Sequence, residues 1–198
     1  MLSTILDGLS LGAIYALIAL GYTMVYGIAK MLNFAHGDII MVGAYAILVT
    51  LNATGHPILG VIAAVIVCTI VGIVIEKVAY KPLRGASPLA VLITAIGVSY
   101  LLQSIAQLIF KSKSQAVTIT ETHMVNIGSA ELNLNTLLTL VVGAVIMVAL
   151  TLFVKYTRTG RAMQAVSEDR GAAQLMGVNV NKIIMITFAI GSALAACA

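Results

Sequence analysis

Long stretches of this sequence carry no charged residue. The 22 residues before Lys155 and the 16 after Lys182 are charge-free, and so are Gly8–Ala29, Ile58–Ile75 and Leu89–Phe110. Each approaches the ~20 residues a helix needs to cross the hydrocarbon core of a bilayer. In that solvent every backbone N–H and C=O must be bonded within the protein, which leaves only helices and closed barrels. A barrel strand alternates in polarity over about ten residues, whereas these runs are continuously apolar. The fold class is therefore all-α, a polytopic helical membrane protein with about six transmembrane segments. Composition agrees: 61% of residues are hydrophobic, 9% are charged and the mean hydropathy is +1.08. The net charge of +4 follows the ends of the apolar runs and is not interleaved with aromatics, so it reports topology and not a nucleic-acid partner. Met1–Ala29 has no Lys or Arg to form the basic region of a cleavable signal, so the first span is expected to be retained. Cys68 and Cys197 sit far apart in apolar runs, suggesting neither a disulfide framework nor a metal site.

Five complete apolar segments and a shortened sixth follow one another. In the first, about 8–29, Thr4, Gly8, Gly12 and Ala16 recur every four residues, a small-residue stripe of the kind that lets helices approach closely in lipid. Tyr15, Tyr22 and Tyr26 fall on a different face, for packing or for lining a path. Lys30–Asp38 then brings Asn33, His36 and Asp38 between two apolar runs. The next run, Ile39 to about Leu51, is short for a span, so the break is either a re-entrant helix or an interfacial loop. One His and one carboxylate are too few ligands for a metal. After a turn at 52–57, Ile58–Ile75 carries a second stripe of Gly60, Ala64, Cys68 and Gly72, with Cys68 a small packing residue. Glu76–Pro88 supplies Lys77, Lys81 and Arg84, with Pro82, Gly85 and Pro88 to break a helix. It is expected to be a cytoplasmic loop.

Leu89–Phe110 presents Ser99, Gln103 and Gln107 on one helical face, and buried polar side chains like these need partners. They either bond a neighbouring helix or line a translocation path with Asn33, His36 and Asp38. Lys111–Asn135 is polar and lies outside by parity, with some strand character at Val117–Thr122. The segments Leu137–Val154 and Ile183–Ala198 enclose a basic island, 155–182, holding five of the eleven Lys and Arg residues. A loop this basic faces the cytoplasm. Within it Ser167 is expected to cap a helix over 168–176, with Glu168 and Asp169 in its first turn and Gly177 closing it. Ala172, Ala173, Leu175 and Met176 would then be exposed to a protein partner. The N-terminus lies outside if 30–38 is a cytoplasmic loop and inside if it is re-entrant.

No GxxxxGK[ST], HExxH, GxSxG or CxxC motif is present, so an enzyme is a weak reading. A many-helix protein with a helical cytoplasmic loop and no nucleotide site fits a permease powered by separate ATPase chains. The stretches GLSLGAIYALIALGYTMVYGIAKMLNFAHGDIIMVGAY (8–45), VIEKVAYKPLRG (74–85), LITAIGVSYLLQ (92–103) and RTGRAMQAVSEDRGAAQLMGVN (158–179) closely resemble the H-type permease of bacterial branched-chain amino acid ABC importers. That resemblance implies a single permease domain over 1–198, cut short within its sixth span, with 155–182 as its ATPase-docking loop in a bacterial inner membrane. It implies a second related permease, two ATPase subunits and an extracytoplasmic solute-binding protein as partners. No cofactor is expected on this chain, ATP and Mg being used by the ATPases. Ala172, Ala173 and Gly177 would stand in the EAA-type coupling motif, where Gly171 replaces the usual Glu. Urea and short-chain amide permeases resemble the same family, and a passive channel or membrane scaffold is the reading from another class.

Overall fold

The computed structural model describes residues 2–111, 124–127 and 130–198. Among them six helices are long and apolar enough to span a membrane: α1 (Leu2–Ala29), α2 (His36–Thr54), α3 (Pro57–Ile75), α4 (Pro88–Phe110), α5 (Leu134–Tyr156) and α8 (Val180–Cys197). Two shorter helices, α6 (Arg158–Glu168) and α7 (Arg170–Leu175), lie between α5 and α8. A two-stranded antiparallel hairpin, β1 (Met124–Ile127) with β2 (Ala130–Asn133), precedes α5. The expected strand character at 117–122 lies outside the described residues.

The starts and stops follow local chemistry. Pro57 and Pro88 open α3 and α4, where a missing N–H costs no helical bond. The Ser87 hydroxyl accepts from the Ala90 N–H, and the Asn179 side chain accepts from the Lys182 N–H. Two stops differ from expectation. The apolar run after Asp38 is no short span, because its helix starts at His36 and continues to Thr54, 19 residues in all. The segment after Ile75 is no loop at first. It continues as a π turn (Glu76–Tyr80) and a 3-10 turn (Lys81–Leu83), and regular structure ends only beyond Arg84. Pro82 is tolerated there because a new turn starts at Lys81.

Contacts fix the direction of each helix. Gly21 lies against Gly191, and Ile28 packs in one cluster with Ile183, so α1 and α8 run antiparallel. Thr136 donates to Asp7 at 2.9 Å while Gly143 lies beside Ala13, so α1 and α5 run parallel. Gly60 faces Ile47, and the Cys68 thiol donates to the Ile39 carbonyl at 3.3 Å, so α2 and α3 form an antiparallel hairpin. Gly72 lies against Ser192 and Phe188, setting α3 antiparallel to α8. The first residues of α1 and the α2–α3 turn therefore share one end of the bundle, and α6 and α7 occupy the other.

The core is the seam of α3 and α8. Small residues make it: a Cβ on Gly72 would meet the Ser192 Oγ at 1.9 Å, so nothing larger than glycine fits that approach. The Thr187 hydroxyl, fully buried, donates to the Ile183 carbonyl one turn back at 2.9 Å, and Thr69 does the same to Val65. Such back-bonds satisfy hydroxyls where no water is available. On α3, Gly60, Ala64, Cys68 and Gly72 are all buried. The stripe on α1 needs correction: Gly8 and Gly12 are exposed, and a Cβ on either would touch nothing within 4 Å. The buried face of α1 is Ser10, Ala13, Leu17, Gly21 and Val25, with Ala16 half-buried. Four-residue spacing marks two faces of this helix equally well, and only the neighbours decide between them.

Candidate functional site

The break between α1 and α2 folds back into the bundle. Lys30 ends α1 with a left-handed φ of 50°, and the chain reverses so that His36 lies beside Tyr22, ring centroids 6.1 Å apart. Tyr22 is seven residues before Ala29, roughly 10 Å back along the helix axis at 1.5 Å per residue. The first turn of α2 therefore sits beside α1 about two turns back from its end. This is neither of the simple alternatives, since the polar residues turn inward while α1 itself crosses completely. Asn33 and His36 are only 2% and 3% exposed, so the break is a buried turn and not a solvated one.

Burial demands partners. Asn33 accepts from the Tyr80 hydroxyl at 3.0 Å, and that hydroxyl also reaches the Leu32 carbonyl at 3.3 Å. Tyr80, on the π turn, is itself buried against Phe188 of α8, ring centroids 5.2 Å apart. Asp38 accepts from the Gln103 amide at 2.9 Å, and the same amide nitrogen donates to the Ser99 hydroxyl at 3.2 Å. Three of the sequence candidates thus meet on the α2–α4 face. Gln107, one turn on from Gln103, is exposed and stands apart from them. His36 Nε2 is buried with no hydrogen-bond partner. Its ring borders an almost wholly apolar cleft of about 380 Å³, lined by Tyr15, Ile18, Tyr22, Asn33 and Phe34 among others. Asn33 and His36 border this cleft, whereas Asp38, Ser99 and Gln103 lie on the α2–α4 face and outside its lining; the cleft can offer a small solute an imidazole, an amide and apolar contact. No group of three or more potential metal ligands exists among the described residues.

The second region is the basic island. Its helices differ from expectation. Ser167 caps nothing; it lies inside α6 and its hydroxyl donates to the Gln164 carbonyl. The cap of α6 is Thr157, which accepts from the Gly160 N–H at 2.9 Å. Glu168 ends that helix, and Asp169, extended at φ −147°, caps α7 by accepting from the Gly171 and Ala172 N–H groups. Two caps twelve residues apart, each followed by helix formers, start two helices: α7 lies within the expected 168–176, and α6 precedes it where no helix was expected. Gly177, at φ +84°, closes α7: its N–H goes to the Gln174 carbonyl and that of Val178 to the Ala173 carbonyl. Those two bonds make a Schellman cap, whose left-handed residue is best supplied by glycine.

Ala173 is also corrected, from exposed to buried. It packs with Ile28, Met163, Val166 and Ile183, a cluster tying α6 and α7 to α1 and α8. Ala172 is exposed, while Leu175 and Met176 are 90% and 85% exposed. Two large apolar side chains therefore stand out from the end of α7.

Sequence reasoning missed the charged clamp behind this surface. Arg84 pairs with the buried Glu76 carboxylate and donates to the Asn181 side chain at the start of α8. Arg170 donates to the carbonyls of Ala29 and Ile28, the last of α1, where a cation suits the negative end of the helix dipole. Burial first, and the Arg84 charge second, lower the pKa of Arg170, which still stays cationic at pH 7. The pattern of basic residues reported only sidedness, because Asn181 and Arg84 are 97 positions apart.

Residues 4–198 match the family described as branched-chain amino acid transport system / permease component. The chain belongs to that family. It is 41% identical to the high-affinity branched-chain amino acid transport system permease protein BraD of Pseudomonas aeruginosa, over 100% of this chain and 69% of that protein. Against the LivH permease proteins of Salmonella typhimurium and Escherichia coli K12 it is 40% and 38% identical, again over its whole length and 68% of theirs. No solved structure matches it. The permease is thus a multi-pass membrane protein with a transport role.

Proposed function

We propose that this permease carries leucine, isoleucine and valine across the bacterial cytoplasmic membrane as one subunit of an ATP-driven importer. Its partners are a second related permease, two ATPase subunits that use ATP and Mg, and an extracytoplasmic solute-binding protein; the chain itself binds no cofactor. The observation that carries the reading is the whole-length match to permeases named for branched-chain amino acids. Two features of the fold support it. The basic end of the bundle faces the cytoplasm by the positive-inside rule, which sets the first residues of α1 outside. At that end Leu175 and Met176 offer an ATPase a grip on α7, and Ala173 and Arg170 connect α7 to α1. A push on the loop then reaches the helix that borders the His36 cleft. The solute path runs past Asn33, His36, Asp38, Ser99 and Gln103, where an apolar side chain meets the cleft and polar main-chain groups meet the amides.

Uptake of radiolabelled leucine and urea, in cells with and without the intact gene, before and after ATP depletion, tests each part. Loss of ATP-dependent leucine uptake alone is the expected result. Loss of urea uptake instead moves the assignment to a urea or short-chain amide importer. Flux that persists after ATP is exhausted identifies a passive channel and sinks the importer reading.

A further inference from the structure

The inner face of the loop end holds a cavity of about 330 Å³ between the end of α1, the turn before α4 and the start of α7. Lys30, Arg84 and Arg170 all line it, with Tyr26, Leu83 and Val91 among the apolar groups. Among the described residues the ion pair made by these cations is Arg84 with Glu76; Glu168 shares with Lys30 a separate, neighbouring cavity and does not line this one. Positive charge is therefore in excess in a partly enclosed space. Arg84 is held on both sides, by Glu76 and Asn181, yet its Nε is buried without a hydrogen-bond partner. Pro88, in the first turn of the 23-residue α4, also borders the cavity, so the positive end of a helix dipole adds to the same field. Concentrated cations, a helix start and an unused guanidinium N–H form a receptor for an oxyanion with several acceptors. The walls say which kind. Tyr26 is half exposed on the outside of α1, and the apolar lining continues from it, so a ligand with a charged head and apolar chains fills more of the space than a bare ion.

We propose that this cavity binds the phosphate group of an anionic phospholipid from the leaflet that meets the loop end. Basic pockets between membrane helices on the cytoplasmic side recognise such headgroups. The same phosphate chemistry is available from free phosphate, and the experiment separates the two sources. Bound here, the lipid bridges α1, the α3–α4 turn and α7, the three elements that surround the loop clamp.

The test is native mass spectrometry of the protein purified in mild detergent with whatever subunits accompany it. It is titrated with phosphatidylglycerol, with phosphatidylcholine and with inorganic phosphate. Phosphatidylglycerol is expected to be retained over phosphatidylcholine. Lys30→Gln, at an exposed side chain, is expected to weaken that retention about fivefold, the effect of one basic residue near a lipid headgroup. Lys155→Gln, a base of the same end outside the cavity, is expected to change it little. Phosphate that fails to displace the lipid assigns the site to phospholipid. Phosphate that binds alone and excludes phosphatidylglycerol keeps the anion site but assigns it to the free ion. Equal retention of the two lipids, or an equal loss with Lys155→Gln, overturns the proposal, because diffuse surface charge then accounts for the binding.

Discussion

Two of the polar interruptions between apolar runs are opposites in space. Residues 30–38 turn inward, with Asn33 and His36 almost fully buried; residues 157–179 turn outward, with Leu175 and Met176 almost fully exposed. In the first, Asn33 and Asp38 are enclosed and bonded to Tyr80 and Gln103, while His36 Nε2 is enclosed without a partner. In the second polar atoms cap the helices and the apolar side chains are displayed. Polarity in sequence thus did not mark surface. What separates the two is bonding: a break can sit inside a membrane bundle if distant helices supply its partners, and must lie outside if its partners are local caps.

The sharpest way to break this contrast is to place a charge at a point where the outward loop is buried. Ala173→Arg puts a guanidinium into the cluster of Met163, Val166 and Ile183, and should destabilise the bundle by about 3 kcal/mol or more. Loss of monodisperse protein on size-exclusion chromatography is the expected outcome. A folded variant of normal thermal stability sinks the claim that α7 is packed. Next comes Asn33→Leu, which removes one acceptor of the buried Tyr80 hydroxyl and should cost about 1–3 kcal/mol. The chain has no Trp, so melting is followed by far-ultraviolet circular dichroism in detergent. No shift in the midpoint means that the break is solvated after all.

Gly177→Ala forces a side chain at φ +84° and should lower stability by about 1–2 kcal/mol. A smaller loss than Asn33→Leu is expected in the same melts. The smallest structural effect belongs to Leu175→Ser with Met176→Ser, within about 0.5 kcal/mol for exposed positions. Co-purification of the ATPase subunits should nevertheless fall sharply. Unchanged co-purification moves the docking surface elsewhere.

Much of the fold was legible because lipid leaves so few solutions: long apolar runs can only be helices, and the described residues hold six helices of that kind. Element ends were less legible. Ser167 and Asp169 are both acceptable caps by type, and the extended backbone of Asp169 alone shows which is used. The meeting of Asp38 with Ser99 and Gln103 was visible only as a shared need for partners, since 65 positions separate Asp38 from Gln103. Tyr80 gave no signal, being an aromatic in an apolar run whose role depends on Asn33 folding back to it. Gly8 and Gly12 show the converse, a clear spacing with nothing opposite it in this chain.

The helix neighbours also set an order of events during synthesis. The α2–α3 hairpin joins consecutive segments and can close as soon as both are inserted. The partners of α1 come from α5 and α8, so its packing face, from Ser10 to Val25, waits for residues near Gly191. At about 5–20 residues per second that delay is roughly ten to thirty seconds. Through that interval α1 has only part of its packing face covered, by His36 of α2 and then by α5, and the arrival of α8 at Gly21 completes it.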